Sequence, residues 1–280
     1  MASGEASWLG FAAHLAVSER EDGLREGWCL PGRGHRPYGG QLVAQAILLA
    51  QLNAAPGMTP MSVHAHFLAA GDTRRTIQYR VEFLRAGRSF EHWRVDAAQD
   101  DILLSQSMVV LHRPEVGPEH AVRPRSAGSP VGLVDITSEP PEGTPALIRA
   151  GLEIRRDRQW APGDPGPPFQ DAWFRCVEDL PEGLDAAVLA WCTDLEFALT
   201  VDLPFRGGIR TRVGASLEHT IHFHRPFVGT QWWVFEQESP VLSQGRGLAT
   251  GRAFTEQGEL VATVIQHTML RLEVGGPTGT

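Results

Sequence analysis

The stretch Pro37-Tyr-Gly-Gly-Gln-Leu-Val-Ala-Gln-Ala-Ile-Leu-Leu-Ala-Gln-Leu52 contains the element around which the rest of this chain is organised. The turn 37–40 precedes a run, 41–52, that is rich in Ala and Leu and apolar on almost every side. A helix that is hydrophobic all round has to be covered on all sides by other elements. We therefore expect a buried helix, and the segments that follow it should form its cover.

Strand-like segments do follow it. Between Gly and Asp breaks lie 75–83, 89–97 and 102–112, and Asp100-Asp101 stands where a hairpin turn is expected. The second half of the chain begins again with a helical pattern, because apolar residues recur there at steps of three and four: Leu184, Val188, Trp191, Leu195 and Ala198. Three more strand-like segments complete the second half, with a turn at Gln257-Gly258: 231–238, 247–255 and 260–272.

The two halves also match residue by residue. Sliding 64–113 by 158 positions without a gap aligns nine identities, where chance gives about three: His64/His222, His66/His224, Gly71/Gly229, Leu84/Leu242, Gly87/Gly245, Arg88/Arg246, Arg94/Arg252, Gln99/Gln257 and Arg113/Arg271. The alternative is chance together with a shared strand composition. We interpret the match as a duplicated domain.

One central helix followed by an antiparallel meander, occurring twice, predicts an α+β fold of two tandem repeats, each with a helix wrapped by an antiparallel sheet. The first repeat is expected at 1–113 and the second, which carries the proposed site, at 151–280. Residues 114–150 contain seven prolines and have no sustained hydrophobic period, so they are expected to be a Pro/Gly-rich linker.

Composition narrows the function classes. The net charge of −8 argues against a nucleic-acid partner bound by bulk positive charge. No apolar run approaches the roughly 20 residues of a membrane-spanning helix, and the N-terminus does not read as a signal peptide. Three widely spaced cysteines form neither a metal knuckle nor a disulfide framework. We expect a cytoplasmic protein without a membrane span.

Two polar residues stand out against apolar surroundings. Gln266 shares a strand face with Ala262 and Val264 and aligns with Met108 of the first repeat, so it either bonds a sheet edge or points into a cleft. Asp194 lies in the second helical segment among Ala, Trp and Phe, either as a helix-end acid or as a buried carboxylate. A buried carboxylate near an amide can hold and polarise a water molecule. Ser216, by simple alternation, should share the polar strand face of Glu218, Thr220 and His222.

A set of short motifs, in this order and spacing, resembles the acyl-CoA thioesterase II family, whose members are double-hotdog proteins. The motifs are Tyr38-Gly-Gly-Gln41, Val63-His-Ala-His-Phe-Leu68, Arg85-Ala-Gly-Arg-Ser-Phe90, Thr193-Asp-Leu-Glu-Phe197, Ser216-Leu-Glu-His219, Phe223-His-Arg-Pro226, Gly245-Arg-Gly-Leu248 and Ile265-Gln266. Tyr38 stands where Phe is usual. His267-Thr268 stands where an acidic residue and Gly are common.

The resemblance implies hydrolysis of an acyl-CoA thioester, without a cofactor or a metal, by direct attack of a water molecule. It assigns Asp194, Ser216 and Gln266 to the binding of that water, with Asp194 as general base. Backbone N–H groups at a helix start such as Gly39-Gly40 are candidates for stabilising the oxyanion. Tyr38 is expected to shape the acyl pocket, and Arg88 to meet the phosphates of coenzyme A unless it only solvates a strand.

Other interpretations remain open at this stage. The same fold suits a non-catalytic acyl-CoA-binding or regulatory protein, or a hydratase, although a hydratase needs an Asp-His pair and the second helical segment has no His. The pairs His64-Ala-His66 and His222-Phe-His224 have a spacing used by some metal sites, but a structural role is the better interpretation. Because hotdog sheets extend edge to edge, we expect a homo-oligomer.

Overall fold

The computed structural model of the chain describes residues 11–21, 23–31, 35–125, 128–137, 151–156, 165–206 and 211–272. The first half contains two helices and six strands, which include the one helix and the three strands predicted there. Their bounds are α1 (Phe11–His14), β1 (Ser18–Glu19), β2 (Arg25–Gly27), α2 (Gly39–Asn53), β3 (Thr59–Phe67), β4 (Ile77–Ala86), β5 (Phe90–Gln99) and β6 (Ile102–His112).

The second half adds one α-helix and seven strands, with two short 3-10 helices after the α-helix, at Phe197–Val201 and Leu203–Phe205. The bounds are β7 (Val134–Asp135), β8 (Leu152–Arg156), β9 (Phe169–Cys176), α3 (Asp185–Asp194), β10 (Thr211–Phe223), β11 (Trp233–Ser243), β12 (Arg246–Thr255) and β13 (Leu260–Leu272). All six predicted strands of the two meanders are present.

Within the described residues these strands form one antiparallel sheet, in the order β1-β2-β4-β5-β6-β3-β10-β13-β12-β11-β9-β8-β7. The two meanders, β4 to β6 and β11 to β13, lie on either side of a central pair, β3 and β10. This pair joins the repeats, since Ala65 of β3 lies opposite His219 of β10. The repeats therefore share a continuous sheet, with α2 and α3 packed on its inner face.

Helix α2 is buried as predicted, and its two buried glutamines hold the N-terminal segment against it. Gln41 accepts a hydrogen bond from the Leu30 N–H at 2.7 Å and donates one to the Trp28 carbonyl at 2.9 Å. Gln45 accepts one from the Tyr79 hydroxyl at 2.5 Å. A buried amide without partners costs about 1–3 kcal/mol, so these bonds let polar residues occupy an all-round apolar helix.

Helix α3 is shorter than its apolar period predicts. It ends at Asp194, and Glu196 then takes a left-handed conformation with φ 62° before the 3-10 helix that includes Ala198. The apolar residues Leu195 and Phe197 remain buried in this turn, so the burial pattern continues although the helix does not. The early ending places the Asp194 side chain at a helix terminus instead of along a helix.

The N-terminus of α2 packs against the C-terminal part of α3 at very close range. A Cβ atom on Gly40 would lie 2.8 Å from the Trp191 carbonyl oxygen and 2.9 Å from the Tyr38 ring. Such a distance is shorter than any ordinary carbon contact, so the backbones meet here because residue 40 is glycine. This contact brings an element of the first repeat to the predicted site residues of the second.

The expected linker is described at 114–125 and 128–137, and the rest of it lies outside the described residues. Directly after β6 it crosses to the second repeat, where Arg125 donates to Asp171 and its N–H donates to Glu236 at 2.6 Å. The repeat and linker bounds given above stay predictions. Among the helices of the described ranges, none is long and apolar enough to cross a membrane.

Candidate active site

The Asp194 carboxylate lies where the C-terminus of α3 meets the N-terminus of α2. Its Oδ2 accepts a hydrogen bond from the Gly40 N–H at 2.7 Å. A Cβ on Gly39 would lie 2.9 Å from the same oxygen and 3.0 Å from the Phe67 ring. The partial positive charge of a helix N-terminus stabilises an anion placed there. Asp194 is therefore a helix-end acid, but one whose carboxylate is held by a second helix.

Burial raises the pKa of Asp194 above its ordinary value, because the carboxylate has lost most of its water. The Gly40 N–H and the Gln266 side chain each lower this pKa in part, and His219 lowers it only when its ring is charged. A carboxylate that is poorly solvated but still hydrogen-bonded is more basic than a surface aspartate. It is therefore better suited to accept a proton from a bound water molecule.

Gln266 lies in the middle of the sheet on β13 and is fully buried. Its Nε2 donates to Ser216 Oγ at 2.8 Å, and its side chain also interacts with Asp194. It is not bonded to a sheet edge, since β13 has β10 on one side and β12 on the other. The structure thus brings the three residues predicted to bind water, Asp194, Ser216 and Gln266, into one cluster.

The strand face assigned to Ser216 by simple alternation is wrong. A register shift lies between Ser216 and Glu218, so that Ser216 is opposite Thr268 while Glu218 is opposite His267. A bulge of this kind inserts one residue, here Leu217, and moves the preceding side chain to the other face of the strand. Ser216 therefore shares the inner face with His219, and Glu218 remains on the outer face.

His219 is a residue of this cluster that the sequence reasoning did not select. It is fully buried, with Nδ1 at 2.5 Å from Gln266 Oε1 and Nε2 at 3.2 Å from Thr193 Oγ1. A signal for it exists in the sequence, because His219 alternates with the apolar Ile221 and Phe223 on β10. A histidine on an apolar strand face needs partners, and here the partners are site residues.

The two departures from the family pattern at 267 and 268 lie on opposite faces of β13. His267 is on the outer face, where its Nδ1 is 2.5 Å from Glu218 Oε1. Thr268 is on the inner face and fully buried, opposite Ser216, and its hydroxyl has no hydrogen-bond partner among the described residues. Of the two, Thr268 is the one that changes the polarity of the site.

The predicted substrate-binding residues differ in how close they lie to the cluster. Gly39 and Gly40 border the cluster, and the Gly40 N–H is already bonded to Asp194, whereas no acceptor for the Gly39 N–H lies among the described residues. The Tyr38 hydroxyl is buried and donates to the Trp191 carbonyl at 2.6 Å. Arg88 is exposed in the β4–β5 turn, four strands from β13 in the sheet, so the structure does not bring it to the cluster.

Met108, which aligns with Gln266 in the sequence, is not its structural counterpart. It lies opposite Arg94 on one side and His64 on the other, on the outer face of β6, while Gln266 is on the inner face of β13. The strand pairing differs in register between the repeats, so an ungapped alignment does not preserve the face. The comparison singles out Gln266, although the spatial equivalence behind it is wrong.

Both histidine pairs lie on the outer face of the sheet, where each bonds a threonine. His64 Nδ1 is 3.3 Å from Thr220 Oγ1, and His224 Nε2 is 2.9 Å from Thr263 Oγ1. In the parts of the chain that the structure describes, no group of three His, Cys, Asp or Glu side chains has the arrangement of a metal site. These contacts account for the pairs as cross-strand links.

Comparisons with known proteins give the family. The profile described as acyl-CoA thioesterase N-terminal domain matches residues 24–112, and the one described as acyl-CoA thioesterase C-terminal domain matches residues 128–270. The chain belongs to the acyl-CoA thioesterase II family. The resemblance inferred from the short motifs is thereby confirmed, as is the prediction of a thioester hydrolase at the level of the family.

Individual relatives of this family cover most of the chain. Acyl-CoA thioesterase 2 of Haemophilus influenzae is 32% identical over 84% of this chain and 87% of that protein. Human acyl-coenzyme A thioesterase 8 is 27% identical over 85% of this chain and 81% of its own length. Both matches extend across the two repeats.

Solved structures agree on the fold. The acyl-CoA thioesterase II TesB2 from Mycobacterium marinum superposes with a TM-score of 0.77 at 27% identity, covering 94% of this chain and 99% of that one. A hotdog-fold protein from Alicyclobacillus acidocaldarius gives a TM-score of 0.75 at 18% identity, with 94% of this chain and 98% of that chain covered. The predicted α+β double hotdog is confirmed.

Proposed function

We propose that this chain hydrolyses acyl-CoA thioesters to free fatty acid and coenzyme A by direct attack of a water molecule held by Asp194, Ser216 and Gln266. The observation that carries the proposal is the 2.8 Å hydrogen bond from Gln266 Nε2 to Ser216 Oγ, made by an amide that also lowers the pKa of the buried Asp194 carboxyl. A hydroxyl, an amide and a basic carboxylate around one position supply the acceptor and the oriented polar groups that a nucleophilic water needs.

The reaction balances without a covalent enzyme intermediate. Asp194 takes a proton from the water as its oxygen bonds to the thioester carbonyl carbon. The resulting oxyanion is stabilised by a backbone N–H at the start of α2, for which the Gly39 N–H is the candidate because the Gly40 N–H is bonded to Asp194. When the C–S bond breaks, the proton on Asp194 passes to the sulfur, which leaves as the thiol of coenzyme A.

Thiol release from a panel of acyl-CoAs tests the activity itself. We expect release detectable with DTNB, and a chain-length profile from C4 to C18 should identify the preferred acyl group. The alternative, a non-catalytic acyl-CoA-binding or regulatory protein, predicts that the same ligands raise the melting temperature without releasing thiol.

Substitution of Gln266 and Asp194 tests the proposed water site. Gln266→Ala and Asp194→Asn should each lower kcat by about 10²–10³-fold, since each removes a group oriented toward the reacting atoms. Gln106→Ala is a matched control, because Gln106 lies on the outer face of β6 and bonds Asp96 at 3.0 Å. Full turnover in either site variant would rule out the assignment.

The absence of a covalent step is tested separately. Intact-mass analysis of rapidly quenched enzyme during turnover should find no acyl adduct, and Ser216→Ala should retain more activity than Asp194→Asn. An acylated Ser216 would replace direct attack by a nucleophilic mechanism. Contacts of Tyr38 and Arg88 with substrate, a cytoplasmic location and a homo-oligomeric state remain proposals on which the water site does not depend.

A further inference from the structure

Four side chains in the buried part of the site form one continuous series of polar contacts. Thr193 Oγ1 is 3.2 Å from His219 Nε2, His219 Nδ1 is 2.5 Å from Gln266 Oε1, and Gln266 Nε2 donates to Ser216 Oγ at 2.8 Å. Thr193, His219 and Gln266 are each fully buried. Water does not compete for these contacts, and outside the series Thr193 Oγ1 also contacts the Ala190 carbonyl oxygen at 3.2 Å.

The chemistry of Gln266 decides the direction of the central bond. The amide oxygen Oε1 only accepts hydrogen bonds, so His219 Nδ1 must carry the hydrogen. Burial lowers the pKa of His219, which favours the neutral ring, and a neutral ring protonated at Nδ1 has an acceptor at Nε2. The Thr193 hydroxyl has a single hydrogen, and both His219 Nε2 and the Ala190 carbonyl oxygen lie 3.2 Å from its Oγ1 as acceptors. The direction of the series is therefore set at its centre, where His219 donates to Gln266.

This direction matters because a glutamine amide has two orientations of nearly equal shape but opposite polarity. In the orientation described, Nε2 faces Ser216 and Asp194. In the flipped orientation, the Oε1 lone pairs would face the Asp194 carboxylate, and Nε2–H would face the Nδ1–H of His219. While His219 carries its hydrogen on Nδ1, both ends of the flipped amide would be repelled, and the donor to Ser216 would be lost.

We propose that His219 is a positioning residue of the hydrolytic site, whose Nδ1–H fixes the Gln266 amide with its nitrogen directed at Ser216 and Asp194. This inference rests on the proposed function, since it gives the reason why Gln266 presents a donor to the water site. His219 itself touches no reacting atom. It acts through Gln266, and Thr193 supports it by holding the opposite side of the ring.

Two substitutions separate the Nδ1 contact from mere occupancy of the space. In His219→Asn the side-chain amide reaches the position of Nδ1 and keeps a donor for Gln266. In His219→Gln the longer side chain brings its amide near the position of Nε2, where it meets Thr193 and not Gln266. We expect His219→Asn to keep kcat within about tenfold of the unsubstituted chain. His219→Gln should lose about 100-fold or more in kcat, as for removal of an oriented polar group, with KM changed by less than about threefold.

A double variant tests whether the effect passes through Gln266. Residues that act as a unit are not additive, so His219→Gln combined with Gln266→Ala should be no slower than Gln266→Ala alone. His66→Gln is the control, because His66 is exposed on the outer face, with 58% of its side-chain surface accessible. Circular dichroism and melting temperature establish that each variant is folded. The comparison uses the Asn and Gln variants because both keep a polar side chain at position 219, which an apolar substitution would not.

The outcomes distinguish this inference from the proposed function. Full kcat in His219→Gln, equal losses in the Asn and Gln variants, or additive losses in the double variant would each overturn the positioning role. If Gln266→Ala itself keeps full kcat, the water site is wrong and the inference falls with it. Loss in Gln266→Ala together with full kcat in His219→Gln would leave the water site intact and remove only the role of His219.

Discussion

At Asp194, burial and a helix N-terminus act on one carboxylate in opposite directions. Burial favours the protonated form and raises its pKa, while the Gly40 N–H favours the charged form. Burial has the larger effect. The residue is therefore a stronger base than an exposed aspartate, and the folded protein bears a free-energy cost whenever this group is ionised.

This cost predicts that Asp194→Asn stabilises the protein. A group whose pKa is higher in the folded than in the unfolded state contributes stability at pH values below its unfolded pKa, and that contribution is lost as the pH rises through its folded pKa. At pH values above the folded pKa the ionised Asp194 is thus unfavourable, and a neutral amide removes the penalty while Oδ1 can still accept from Gly40. Urea unfolding at neutral pH should show a higher free energy of unfolding for the variant. An equal or lower value would show that the carboxylate is well stabilised in the fold.

The same pKa shift predicts the acid side of the pH-rate profile. Asp194 acts as a base only when deprotonated, so kcat should fall as the pH decreases through its raised pKa. The midpoint of this fall should lie above the ordinary aspartate value of 3.8. The measurement is kcat against pH with a saturating acyl-CoA. A midpoint at or below the ordinary value, in enzyme shown to be folded at that pH, would contradict the assignment of Asp194 as the base.

At the scale of single elements, two local irregularities build the site. The bulge at Leu217 turns Ser216 inward, and the early end of α3 leaves Asp194 at a terminus that faces α2. Neither irregularity follows from hydrophobic periodicity, because β10 without its bulge and α3 continued to Ala198 fit the apolar pattern equally well. Hydrogen bonds to residues distant in the chain stabilise both irregularities. Ser216 bonds Gln266, and Asp194 bonds Gly40.

The contact between α2 and α3 leads to a prediction for Gly40. In Gly40→Ala the new Cβ would lie 2.8 Å from the Trp191 carbonyl, a backbone atom that cannot move independently of its helix. Separation of the helices should cost about 1–3 kcal/mol of stability and lower kcat, because the Gly40 N–H would move away from Asp194. Melting temperature and thiol release measure the two effects.

Gly87→Ala is the matched control for this prediction. Gly87 lies in the β4–β5 turn, and the nearest atom to its added Cβ would be the Phe90 carbonyl oxygen at 3.8 Å, an ordinary contact distance. It should leave both stability and turnover unchanged. If Gly40→Ala also left stability and turnover unchanged, the close approach of the two helices would not be needed for the site.

On the scale of the whole molecule, the site belongs to neither repeat alone. Asp194, Ser216 and Gln266 come from the second repeat, but the N–H that holds Asp194 comes from Gly40 of the first. The sheet is continuous through the β3–β10 pair, and the two helices pack against each other on its inner face. The candidate site of the second repeat is therefore completed by a residue of the first.

This shared construction predicts a single unfolding transition. Separating the repeats would break the β3–β10 pairing and expose the buried contact of Tyr38 with Trp191, so neither repeat is expected to unfold alone. Calorimetry should give one heat-absorption peak, and loss of thiol release on heating should coincide with it. Two resolved peaks would show that the repeats are independent domains despite their common sheet.

The individual residues show which parts of the candidate site can be predicted from the sequence. Asp194 and Gln266 are predicted because a polar side chain on an apolar face is visible in local periodicity. Ser216 follows only from the family resemblance, since alternation places it on the wrong face. His219 is not predicted, because the residue that makes it part of the candidate site, Gln266, lies on another strand. Met108 shows that an ungapped repeat alignment fails to give the face of a strand when the register differs.

By itself, the amino-acid sequence determined the two repeats, the buried first helix, the six meander strands and the family. These features depend on local periodicity, turn residues and motif spacing, all of which are written along the chain. Tertiary structure alone decided the bulge that turns Ser216 inward, the direction of the Gln266 amide and the meeting of Asp194 with Gly40. Those depend on which strands pair, in which register, and how closely two helices approach, and the energies that decide them come from contacts between residues far apart in the chain.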